Sequence, residues 1–83
     1  MRLGPVPRFF FHLRNEVDCD DPEGMILSDA EAAHDEAIRG ARSILAEEVL
    51  HGRLPLRERI EVVDESGSAV MSVPFREAVD IEE

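Results

Sequence analysis

The sequence predicts an α+β fold: a small antiparallel sheet of three to four strands with one α-helix packed on one face, in the order β-β-α-β-β. Three observations carry that prediction. The aromatic run Phe9-Phe10-Phe11 suits a pleated strand surface. A stretch opening at Ser28 repeats small and apolar residues at helical spacing. Two strand-like runs near the C-terminus flank the turn sequence Asp64-Glu65-Ser66-Gly67. A helix and a half-apolar sheet bury one another in the simplest two-layer arrangement.

Met1 to Pro7 carries Gly4, Pro5 and Pro7 and reads as a loose leader. Arg8 to Leu13 is the first strand. Alternation points Phe9, Phe11 and Leu13 one way and Phe10 and His12 the other. Both faces carry apolar weight, as in a central strand. Asn15 to Glu23 is acidic, contains Pro22 and reads as turn and loop. Gly24 to Leu27 is a short second strand antiparallel to the first.

Ser28 followed by Glu31 has the spacing of a capping box, and Asp29 and Glu31 suit the positive end of a helix dipole. The helix is expected to run to about His51, where Gly52 ends it and Pro55 blocks continuation. Ala33, Ala37, Ala41, Ile44, Leu45 and Val49 form the stripe that faces the sheet. Asp35 and Arg39 are spaced to pair on the exposed side. Arg53 to Arg59 connects to a third strand, Arg59 to Val63. The Asp64–Gly67 turn, type I with a glycine bulge, returns the chain as a fourth strand, Ser68 to Val73. Pro74 stops that strand, Phe75 to Val79 makes a helical turn that plugs the core, and residues 80–83 read as a fraying tail.

The 83 residues make one domain, residues 1–83. A chain of this length hides only about 60–65% of its unfolded surface, which argues against a deep active site and an autonomous enzyme. The net charge is −10, from 19 acidic residues and nine basic ones, all arginine. Such a chain is repelled by nucleic acid and by anionic lipid, so neither direct nucleic-acid binding nor membrane association is expected. The single Cys19 excludes an internal disulfide and a multi-thiolate zinc site. The apolar run Phe9–Phe11 is too short for a signal-peptide core, and no run approaches a bilayer span, so the expected location is cytoplasmic.

His12 is a candidate base or ligand, because histidine titrates near neutrality. The simpler reading is a strand histidine bonded to a neighbouring loop. His34 and His51 lie too far apart along the helix to share a ligand site with each other. The acidic loop Asp18-Cys19-Asp20-Asp21-Pro22-Glu23-Gly24 fails the EF-hand template, with Pro22 at the fifth position and Glu23 at the sixth, where a ligand and a glycine are required. Acidic neighbours make Cys19 a poor nucleophile. No catalytic residue, metal site or cofactor is expected from these patterns.

Several short segments occur in an order that resembles a known family. They are Arg8-Phe9-Phe10-Phe11-His12 after Pro7, the Gly24…Leu27-x-Asp29 stretch, Glu36-Ala37, Ile60-Glu61-Val62-x-Asp64-Glu65-x-Gly67 and Val73-Pro74-Phe75. Together they look like a family of short bacterial proteins of alphaproteobacterial type, the domain of unknown function 6894. The resemblance extends from Pro7 to Ile81. Two departures stand out: Arg14-Asn15-Glu16 where members usually carry Asp-Gly after the histidine, and Arg57-Glu58-Arg59 where many carry a tryptophan. The resemblance implies the fold and a bacterial origin, and no activity.

The functional expectation is a protein-interaction domain. Phe10, His12 and Val70 would line the sheet face that the helix leaves open, as a surface for an unknown protein partner or a homodimer. The alternatives are an acidic modulator that mimics nucleic acid toward a basic protein, and a His12-based metal site or enzyme.

Overall fold

A computed structural model describes residues 7–15 and 18–83. The leader read at 1–7 lies outside the described residues except for Pro7, whose carbonyl accepts the Leu27 N–H at 3.1 Å. The elements run β1 (Arg8–Arg14), β2 (Met25–Ile26), α1 (Ala30–Leu50), β3 (Arg59–Val63), β4 (Ala69–Pro74) and a 3₁₀ turn (Phe75–Ala78). The strands form one antiparallel sheet in the order β2-β1-β3-β4, and α1 packs against it.

The register explains the core. Phe11 pairs with Val62 and Leu13 with Ile60. Ile60 in turn pairs with Val73 and Val62 with Met71. These positions share one face, and beneath α1 they meet Ala33, Ala37, Ala41 and Leu45, all buried. Alanine at every fourth position brings the helix backbone close to the sheet, so β-branched side chains fill the remaining gap. Phe75 and Ala78 of the 3₁₀ turn are fully buried and close one end. Arg42 fastens that turn to the helix, its Nε donating to the Ala78 carbonyl at 2.6 Å. No helix among the described residues is long and apolar enough to cross a membrane.

The β3–β4 turn takes the predicted form. The Gly67 N–H donates to the Asp64 carbonyl at 2.9 Å, and Gly67 adopts φ +86°. The Asp64 carboxylate accepts the Ser66 hydroxyl and the Ser66 and Ser68 N–H groups. The Ser66 hydroxyl is the main cause that holds its carboxyl below the ordinary range. The helix terminus is also as expected: past the His51 cap, Gly52 donates to the Val49 carbonyl and Arg53 to the Glu48 carbonyl, each at 2.9 Å. This is the Schellman pattern, in which helix-end carbonyls are satisfied by the turning chain.

Three helix details differ from expectation. The N-cap is Asp29 rather than Ser28, its carboxylate accepting the Ala32 N–H at 2.8 Å. A charged acceptor makes the stronger bond, and with the frame moved by one residue Glu31 no longer stands where a capping box needs it. Arg39 pairs with Glu36 at 3.2 Å rather than with Asp35. Val49, placed on the buried stripe by spacing, is 54% exposed. The reason is length. A helix of 21 residues spans about 31 Å, while strands of five to seven residues span about 17–24 Å. One end of the helix must overhang the sheet, and it is the C-terminal end.

Candidate functional site

Two surfaces carry unusual side chains. The first lies along the outer edge of β1. Phe9 pairs with Met25 of β2, and Leu13 exchanges backbone bonds with Cys19 at 2.8 and 3.1 Å. Between them the Phe11 N–H has no strand partner, and the Asp21 carboxylate takes it at 3.2 Å. Its other oxygen accepts the Glu23 and Gly24 N–H groups, each at 3.1 Å. His12 completes the clasp, its Nδ1 accepting the Asp21 N–H at 3.0 Å, which assigns the ring proton to Nε2. The carboxylate stands in for a missing stretch of strand.

Partial burial pushes the Asp21 carboxyl up. The N–H groups of Gly24, Phe11 and Glu23, together with nearby His12, outweigh it and hold the group below the usual carboxylate range. Its folded pKa is depressed, so its stabilising contribution is complete above the unfolded value of about 3.9 and is lost as pH falls through the lower folded value. Asp21→Asn turns an NH₂ or a weaker acceptor toward the Phe11 N–H. The expected cost at pH 7 is about 1–3 kcal/mol, read by urea denaturation. The variant also loses less stability than the parent between pH 5 and pH 2. An unchanged acid slope would remove Asp21 from that account.

Among the residues singled out from sequence, Phe10 and His12 come together, their rings stacked at 6.4 Å with 20° between planes. Phe10 is half-buried with Gly24 against its ring. Arg14, next on the same face, reaches Asp20 at 2.8 Å and Glu61 at 3.5 Å. Val70 is half-buried, packs against the core cluster and lies beside the irregularity in the β3–β4 register. Asn15 takes φ +109° and donates from Nδ2 to the Arg57 carbonyl at 2.6 Å. Cys19 is exposed. No group of three His, Cys, Asp or Glu side chains arranged to hold a metal occurs among the described residues. No buried side-chain nitrogen or oxygen lacks a hydrogen-bond partner there.

The second surface is a groove of about 630 Å³ under the overhanging end of α1. Leu45 and Val49 form one wall, Leu54 and Leu56 of the connector the second, and Val79 and Ile81 the third. Val49, Leu54 and Ile81 are each more than half exposed, and Leu50, adjacent to Val49, is 79% exposed. Arg42, Asp80 and Glu82 supply the charged lining. Each wall has a local cause. The Schellman turn swings the connector back beneath the helix, Pro55 buries itself, and the Arg42–Ala78 bond directs the segment after Ala78 alongside α1.

Sequence reasoning missed this groove, because it assigned Val49 to the core, residues 53–59 to a plain connector and residues 80–83 to a tail. The signals were present: two leucines around Pro55, and Ile81 alone among acids.

Residues 8–76 match the family described as a domain of unknown function (DUF6894), and the chain belongs to that family. No curated protein matches the chain, and no solved structure matches it.

Proposed function

We propose that this member of the DUF6894 family is a non-enzymatic domain that works by protein–protein contact, with the groove at the C-terminal end of α1 as the contact surface. One observation carries the reading: Val49, Leu54 and Ile81 converge on a single groove while more than half exposed. Keeping contiguous apolar side chains in water is unfavourable, and such patches characteristically mark a docking surface. The sheet face bearing Phe10 and His12 on β1, with Val70 on β4 beyond the intervening β3, is the other contact surface proposed. It ranks second because the chain's own acidic loop already engages Phe10 and His12. That engagement also weighs against nucleic-acid mimicry, since Asp18, Asp20 and Asp21 are turned onto backbone N–H groups and Arg14. A bacterial cytoplasmic setting suits the lysine-free acidic composition and the lone thiol.

The test separates folding from contact. Leu54→Asp alters a side chain already more than half in water and is expected to change stability by no more than about 0.5 kcal/mol, while Val49→Asp adds an anion at the negative end of the helix dipole and is expected to cost about 0.3–1 kcal/mol more. The same variants are expected to lose a partner that the parent protein captures at stoichiometric yield. A partner retained by both variants and lost on substituting Phe10 would move the contact surface to the sheet face.

A further inference from the structure

We infer that the groove accepts a short amphipathic segment of another protein whose apolar side chains enter the groove and whose polar side is basic. The inference rests on the contact reading above and specifies the partner's chemistry.

Charge decides it. Glu48 is held by Arg53 at 2.7 Å and Glu47 by His51 at 3.3 Å, while Arg42, also in the lining, keeps its positive charge as its Nε donates to the Ala78 carbonyl. Asp80 and Glu82 line the groove and make no ion pair or hydrogen bond with the described residues. The last turn of α1, which forms the adjoining wall, contains no basic residue to offset the negative end of the helix dipole. The two carboxylates outnumber the one guanidinium of the lining, and with the helix C-terminus they leave a net negative rim around an apolar floor. A lysine or arginine beside an anchoring leucine satisfies both parts.

Other occupants fit less well. A second copy brings another −10 charge to an already negative rim. A small apolar molecule is normally oriented by several convergent polar groups, whereas the polar side chains of this lining are three charged ones, Arg42, Asp80 and Glu82. The exposed Leu50 extends the apolar surface along the chain beyond the groove itself, which suits an elongated segment.

The probe is a labelled peptide of about 18 residues, five helical turns, with leucine at i, i+3, i+4 and i+7 spacing and lysine on its polar side. Its counterpart carries glutamate at every lysine position. Fluorescence anisotropy at physiological salt measures both against the full chain. The lysine peptide is expected to bind, with affinity lowered about tenfold or more by Asp80→Arg combined with Glu82→Arg. Leu54→Asp is expected to abolish binding. A control pair at the far end of the molecule, Asp35→Arg with Glu65→Arg, makes the same change in net charge and is expected to weaken binding less than threefold, about the screened long-range effect. Equal losses in both pairs would mean diffuse attraction to an acidic chain and would overturn the inference. Binding of the glutamate peptide in a Leu54-dependent manner would keep the contact surface and overturn the basic partner. A chain that sediments as a dimer, and as a monomer after Leu54→Asp, would replace the basic segment with a second copy. Lysine-peptide binding indifferent to Leu54→Asp would remove the groove from both readings.

Discussion

Phe75→Ala is expected to cost about 3–5 kcal/mol, which for a domain of this size removes about half of the stability or more. Phe75 is fully buried at the junction of sheet, helix and 3₁₀ turn. Its N–H donates to the Glu58 carbonyl at 2.9 Å, so the residue also ties the end of β4 to the connector. Truncation leaves a ring-sized void that alanine-lined helix packing cannot collapse into, since the helix backbone already sits close to the sheet. Denaturant midpoints for Phe75→Ala and Phe75→Leu give the check. Leucine keeps most of the apolar volume and is expected to cost about 1–2 kcal/mol. A cost below about 1 kcal/mol for alanine would mean that the plug is not sealed. The consequence reaches the groove, because the segment bearing Val79 and Ile81 follows directly from this turn.

Gly24→Ala is the second large effect, at about 2–4 kcal/mol. Gly24 adopts φ +70°, which costs any L side chain, and a Cβ there would lie 2.8 Å from the Phe9 carbonyl oxygen and 2.9 Å from the Phe10 ring. Backbone cannot give way cheaply at that point, because Phe9 pairs with Met25 and Gly24 donates to Asp21. The substitution therefore opens the Asp21 clasp and the β1–β2 pairing together. Gly67 offers an internal comparison: its φ is +86°, but a methyl group there would meet nothing within 4 Å. Gly67→Ala should cost only the backbone term, about 1–2 kcal/mol. The difference between the two variants isolates the contact with Phe9 and Phe10. Hydrogen exchange at the Phe11 amide should accelerate in Gly24→Ala and stay unchanged in Gly67→Ala. Equal costs at the two glycines would refute the close approach.

The sequence by itself determined the α+β class, the order of elements, the hairpin turn at Asp64–Gly67 and the helix stop at Gly52. Each depends on spacing within a few residues or on turn chemistry that a single glycine, proline or aspartate dictates. The alanine stripe was equally plain, because a period near 3.6 over three turns points in one direction only. Tertiary structure decided the sheet order β2-β1-β3-β4, since pairing between distant strands leaves no local mark. It also decided the choice of Asp29 over Ser28 as cap, where two adjacent residues were both able to serve. The Asp21 clasp became visible only once the edge of β1 was seen to lack a strand opposite Phe11. The groove arose in the same way. Helical spacing placed Val49 in line with Ala41 and Leu45, and only the mismatch between a 21-residue helix and strands of seven residues or fewer carried it past the sheet into water.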